Sequence, residues 1–242
     1  MLRHVGKARK FKHNLRLATL LSFIAGLVNI TGVLSLKTLT TNVTGHFAFF
    51  AEELIQKQYH LAFTFLIYIF SFLLGSFCSG FLTEFSFSRQ RKSPHTLSII
   101  FEVLLLLSVA IYGELKTSIT FDQLAVSILL FAMGVQNSLV TRISNNTVRT
   151  THLTGLFTDL GIELSQLFFF GQKDQRKQLL HSIELRLAII FFFFAGCVIG
   201  GFLFIRIAYR NLILAAALLV VALLSDSLRF TYYKFRRRNR IV

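Results

Sequence analysis

A chain of 242 residues that is 54% hydrophobic, with 28 Phe and a single Pro, exceeds the about 45–50% apolar content of ordinary soluble domains. Its net charge of +15 would suit a nucleic-acid binder. The Lys and Arg, however, gather in the tails and in the joins between apolar blocks, which is the positive-inside pattern of a polytopic membrane protein and excludes nucleic acid as the expected partner.

In chain order, residues 1–14 form a basic tail. The apolar run 15–36 is longer than a signal-peptide core and has no A-x-A site after it, so it reads as a retained first transmembrane helix. The join 37–60 holds "TTNVTGHFAFFAEELIQ", Thr40 to Gln56, polar at its start and apolar in its middle. It predicts a short helix over 44–56 with Thr44 as N-cap. Apolar runs at 61–84 and 96–114 follow. The run 121–142 is the least apolar and carries Gln136 and Asn137 near its end. The long join 143–186 holds "TTHLTGLFTDLGIELSQ", Thr150 to Gln166, with a short helix expected over 154–170 and Thr154 as its N-cap. Runs at 187–208 and 211–230 flank the tight turn "RIAYR", and a basic tail fills 231–242. Each of the six runs can cross roughly 30 Å of hydrocarbon at about 1.5 Å per residue. With the N-terminus inside, 21 of the 26 Lys and Arg fall on the inner side, so both termini are expected in the cytoplasm.

The two quoted segments are related. At a shift of 110, eight of seventeen positions are identical, and "FIAGLVN" at 23–29 matches "FAMGVQN" at 131–137 just upstream. Each copy reads as span, G-x-x-N, Thr-rich turn, short helix, span, span, giving repeats over 15–114 and 115–230. Three spans per copy is an odd number, so the second copy enters the membrane from the opposite side. The expected fold is therefore all-α: two inverted three-helix repeats, each with an extra half-helix.

A half-helix N-terminus offers free N–H groups and the positive end of a dipole. Asn29, Asn42, Thr44 and Gly45 in the first copy are the candidate solute-binding residues. Gln136, Asn137, Thr151, His152, Thr154 and Gly155 are their counterparts in the second. Asn29, Gln136 and Asn137 also fit plain interhelical hydrogen bonding. Glu53, Glu102, Asp159 and Glu163 are candidates for proton or ion coupling, because carboxylates at membrane depth are costly without a role. Asp159, Glu163 and Gln166 share one face of the second short helix, opposite Leu156, Leu160 and Leu164. That pattern suits either a helix flat in the headgroups or one dipping into a protein cavity. Asp226 sits near the inner interface. "GCVIG", Gly196 to Gly200, is a G-x-x-x-G that serves a homodimer face or internal packing. Cys78 and Cys197 make no disulfide framework. No hydrolase, nucleotide-binding or redox motif occurs and the His are scattered, so no enzyme, cofactor or metal is expected.

"GLVNITGVLSL…TTNVTGHFAFFAEEL" and "FAMGVQNSLVTRISNNTVRTTHLTGLFTDLGIEL" resemble the two signatures of the YoaK family of bacterial integral membrane proteins. The second, A-M-G-x-Q-N followed by V-R-T-T-x-x-T-G, is the more specific. The chain departs from the first signature at Asn29-Ile30 and at His46. The resemblance implies a multi-helix inner-membrane protein and no settled activity. The residues themselves favour a small-solute carrier in the bilayer, its solute polar or anionic. The other reading is a scaffold or sensor whose tail "KFRRRNR" holds anionic lipid.

Overall fold

The computed structural model describes residues 11–89, 93–113, 119–169 and 172–238, and every regular element among them is helical. The helices are α1 (Phe11–Leu36), α2 (Val43–Ile55), α3 (Tyr59–Ser88), α4 (Thr96–Tyr112), α5 (Ile119–Ser144), α6 (Leu153–Gln166), α7 (Lys173–Ile207) and α8 (Asn211–Arg238). A 3-10 turn, Ala208–Arg210, joins the last two. In lipid a backbone must satisfy its own hydrogen bonds, which helices do. The one proline, Pro94, stands in the turn before α4, where it interrupts no helix.

Among the described residues, four stretches are long and apolar enough to cross a bilayer: Phe11–Ser35, Tyr59–Ser88, Asp122–Ser144 and Lys173–Ser225. The last includes all of α7, the 3-10 turn and the first half of α8. The apolar α4, with 17 residues, is about 25 Å long and falls just below that length. The expected six runs all lie in helices, with different ends. α7 starts at Lys173, well before 187, because Leu179 and Ile183 in its first turns bury against Leu160 of α6. The short helix expected over 154–170 stops at Gln166, where Phe168 and Phe169 donate back to Ser165 and Gln166 in a tight turn. The 1–10 portion of the basic N-terminal tail and residues 239–242 lie outside the described residues, and so does the Asp226 side chain.

α1 and α5 form the centre. Their most apolar windows are 67% and 61% buried, against 17% for α3. α3 and α7 flank them and turn Phe63, Phe70, Phe77, Phe191, Phe194 and Phe202 outward, the surface an apolar solvent would cover. The main contacts pair α1 with α7, α3 with α5 and α4 with α8.

Two glycine crossings set this arrangement. A Cβ on Gly26 would lie 2.0 Å from the Phe193 carbonyl oxygen, and one on Gly196 would lie 2.1 Å from that of Phe23. The α3–α5 crossing is built the same way. A Cβ on Gly75 would lie 2.0 Å from the Phe131 oxygen, and one on Gly134 would lie 2.2 Å from that of Phe72. Only glycine permits such backbone approach. Cys197 donates to the Gly26 carbonyl at 3.3 Å, and Ser76 donates to the Gly134 carbonyl at 3.1 Å, so matching bonds close both crossings. Gly196 and Gly200 both face α1, so the G-x-x-x-G serves packing within the chain.

Contacts rise together in number along α1 and α7, and likewise along α3 and α5, so each pair runs parallel. Tyr209, just past the end of α7, donates to Asp122 at the start of α5, so the two pairs run antiparallel. The Thr-rich turn after α1 and the one after α5 therefore lie at opposite ends of the bundle.

Candidate functional site

Both Thr-rich turns are held by the asparagine that closes the preceding G-x-x-N. Asn29 Oδ1 accepts from the Thr40 amide at 3.1 Å and the Thr41 hydroxyl at 3.0 Å. Asn137 Oδ1 accepts from the Thr151 hydroxyl at 2.9 Å and the Thr150 hydroxyl at 3.5 Å. Each helix before the turn ends in a left-handed residue, Lys37 with φ 54° and Asn145 with φ 53°, a conformation common just past a helix end. Thr40 and Thr150 are both fully buried, whereas Thr44 and Thr154 are both exposed.

The short helices start one residue earlier than expected, and neither threonine is the N-cap. Asn42 caps α2, its Oδ1 accepting from the Gly45 amide at 3.0 Å. An extended asparagine reaches the third amide well, and Thr44 is already inside the helix. His152 takes the cap position of α6 without a side-chain cap bond. Its ring lies over Gly155, where an added Cβ would come within 2.4 Å of it.

Beneath α6 the chemistry is ionic. Arg186 of α7 donates to both oxygens of Glu163 at 2.7 and 2.8 Å and forms an ion pair with Asp159 at 3.1 Å. Ser182, one turn earlier, donates to Glu163 at 2.6 Å. The Glu163 side chain is 13% exposed and that of Asp159 is 52% exposed. Burial pushes the Glu163 carboxyl up. The hydrogen bonds from Arg186 and Ser182 and the Arg186 charge outweigh it, so the carboxyl sits below its ordinary value.

Beside this cluster lies a cavity of about 420 Å³ between α6, the start of α7 and the turn after α5. Arg149, His152, Asp159, Ser182 and Arg186 form its polar wall, and Leu156, Leu185 and Ile189 form an apolar one. A more open groove, about 580 Å³, runs along the other side of the turn past Asn137, Thr141 and Arg142. Arg142 pairs there with Glu84 of α3.

Comparison with known proteins adds the family. The model for a protein of unknown function, DUF1275, matches residues 17–225. The chain belongs to this family. It is also 24% identical over 184 residues to the UPF0700 transmembrane protein YoaK of Bacillus subtilis (strain 168), an alignment covering 76% of this chain and 80% of that one. No solved structure matches. The chain is thus a membrane protein of the DUF1275 family, and the matched region spans both Thr-rich turns and the cavity.

Within this DUF1275 chain the expected site residues fall into separate places. Thr151, His152, Thr154, Gly155, Asp159 and Glu163 gather at α6, and Asn137 holds their turn and lines the groove. Asn29, Asn42, Thr44, Gly45 and Glu53 gather at α2, at the other end. The two short helices do not pack on one another; each lies on the long helix that follows it. Gln136 belongs to neither group. Its amide donates to the Leu21 carbonyl at 2.8 Å and ties α5 to α1. Glu102 of α4 is 0% exposed, and neither of its oxygens has a hydrogen-bond partner among the described residues.

Sequence reading missed Arg149, Ser182 and Arg186 as site residues. Arg186 had been counted only as an inner-side charge. Its i, i+4 spacing from Ser182 was the available signal, since that spacing aims both at one neighbour. Asp122 and Tyr209, buried at the α2 end, were missed as well.

Proposed function

We propose that this protein is a carrier of a small polar or anionic solute in the bacterial inner membrane, both termini cytoplasmic, built of two inverted three-span halves with a half-helix in each. The cavity of about 420 Å³ carries this reading: its size suits a small ligand and its walls combine charge with an apolar face. The reciprocal glycine crossings, the matching Asn–Thr clamps and the opposite placement of the two turns support an inverted duplication. The Lys and Arg count supports the orientation, which puts the cavity on the cytoplasmic side. Glu102, buried at membrane depth, serves as a proton-linked group in this reading, and no chemical conversion is assigned to the protein.

A comparison of metabolites retained by cells with and without the gene nominates the solute. Protein reconstituted in liposomes then moves it with saturation, and a Glu102→Gln change removes the pH dependence of that flux. Absence of flux for every nominated metabolite overturns the carrier.

One observation favours the second reading, a scaffold or sensor with its short helices in the headgroup layer. Phe47 on α2 and Phe157 on α6, at matching positions, are 55% and 58% exposed, as membrane-surface helices require.

A further inference from the structure

We infer that the cavity under α6 takes a small amphiphilic carboxylate, and that Asp159 is the internal group this ligand displaces from Arg186. The inference rests on the proposed carrier and names the class of its solute.

Two cationic groups face the cavity. Arg186 is committed twice over to Glu163, through Nε and Nη2, and meets Asp159 only with Nη1. A half-exposed carboxylate on a single guanidinium nitrogen is the replaceable member of such a set, because exposed ion pairs contribute little. The geometry at Nη1 already accepts a carboxylate, so a ligand carboxylate fits the same place. Arg149 stands on the turn, exposed, with no hydrogen-bond or ion-pair partner among the described residues. It supplies the second contact, and two guanidinium groups on one carboxylate give charge-assisted hydrogen bonds, the stronger kind.

The opposite wall decides between an inorganic and an organic anion. Leu156, Leu185 and Ile189 are 4%, 6% and 0% exposed, aliphatic throughout. Inorganic phosphate would leave that wall unused, whereas a short hydrocarbon body covers it with favourable burial. The lining holds two guanidinium groups against the single carboxylate of Asp159, a net positive charge that disfavours an amine.

The test uses the full chain in nanodiscs of phosphatidylcholine, titrated calorimetrically with hexanoate, hexylammonium and inorganic phosphate. Hexanoate binds saturably and the other two do not. Arg149→Gln weakens hexanoate by on the order of tenfold or more and leaves the fold intact, since Arg149 holds no other group. Asp159→Asn tightens it several-fold by freeing Nη1. Phosphate binding as tight as hexanoate, or hexanoate affinity unchanged in Arg149→Gln, overturns the inference. So does loss of hexanoate binding on adding phosphatidylglycerol, which would make a lipid headgroup the occupant. Flux of a nominated metabolite without hexanoate binding sinks this inference and leaves the carrier standing. Hexanoate binding with no flux of any metabolite does the reverse.

Discussion

Under α2, Phe49 stacks on Phe65 of α3 with ring centroids 5.3 Å apart. At the matching place under α6, Asp159 meets Arg186 of α7 at 3.1 Å. The positions correspond: Phe49 and Asp159 stand at one shift in the two Thr-rich segments, and Phe65 and Arg186 stand equally far before the crossing glycines Gly75 and Gly196. His46 extends the contrast. It is 1% exposed, between the rings of Phe65 and Tyr68, and its Nε2–H donates to the Leu39 carbonyl at 2.8 Å. Its counterpart Leu156 is apolar and lines the cavity. The same backbone device is thus closed by aromatic packing at one end and left polar at the other. Backbone contacts that need glycine and a turn that needs asparagine tolerate little change. Side chains between two helices tolerate much more, and that is where the halves differ.

The largest effect comes from breaking what the halves share. Gly134→Leu and Gly196→Leu drive a side chain into a carbonyl about 2 Å from the new Cβ, and each should cost at least about 3 kcal/mol. Neither should yield a monodisperse folded protein in detergent gel filtration. A variant that folds normally beside one that does not would show the crossings to be unlike.

Next in size, Arg186→Gln removes the partner of two carboxylates and should loosen α6 by about 2 kcal/mol. Hydrogen exchange over 153–166 should rise while exchange over 43–55 stays unchanged. Phe65→Ala should do the opposite, releasing α2 alone.

Acid should separate the two ends further. Burial lowers the His46 value from 6.5, and the Leu39 carbonyl only partly offsets it. Its native state therefore loses stability as the pH falls below 6.5 toward the lowered value. Glu163 also sits below its ordinary 4.5, so its contribution is present above 4.5 and is lost as the pH falls through the lowered value. Exchange at α2 should accelerate first on acidification, and at α6 only in stronger acid. The reverse order would contradict the account of both contacts.

The smallest effect is a transplant. Phe49→Asp with Phe65→Arg puts the ionic pair under α2. The double variant should be more stable than the two single losses predict, by about 0.5–1 kcal/mol in a double-mutant cycle. Strict additivity would mean that the positions do not face each other.

Helix placement, the likeness of the two Thr-rich segments and the placing of Asp159 with Glu163 on one face were legible in the sequence. Apolar run length, identity at a fixed shift and helical period carry those signals locally. The partner of the carboxylates was not legible. Glu163 and Arg186 lie on different helices, and their meeting depends on how α6 settles on the first turns of α7, which Leu160, Leu179 and Ile183 decide. The cap positions were misread for a smaller reason. Asn42 and Thr44 both suit an N-cap, and the extended backbone at Asn42 is fixed by the preceding turn. Gln136 and Asn137 were read together as polar residues beside the second Thr-rich turn; they point to different neighbours, Leu21 and Thr151, as successive residues on a helix do.

The proposed inverted arrangement is tested most directly by which face of the membrane each turn reaches. Thr44→Cys and Thr154→Cys, both at exposed positions, are placed singly in a chain whose Cys78 and Cys197 are replaced by Ala. A membrane-impermeant thiol reagent is then applied to right-side-out and to inverted vesicles. Cysteine at 44 should label only from the outer face and cysteine at 154 only from the inner face. Labelling of both from the same face would contradict the inverted halves.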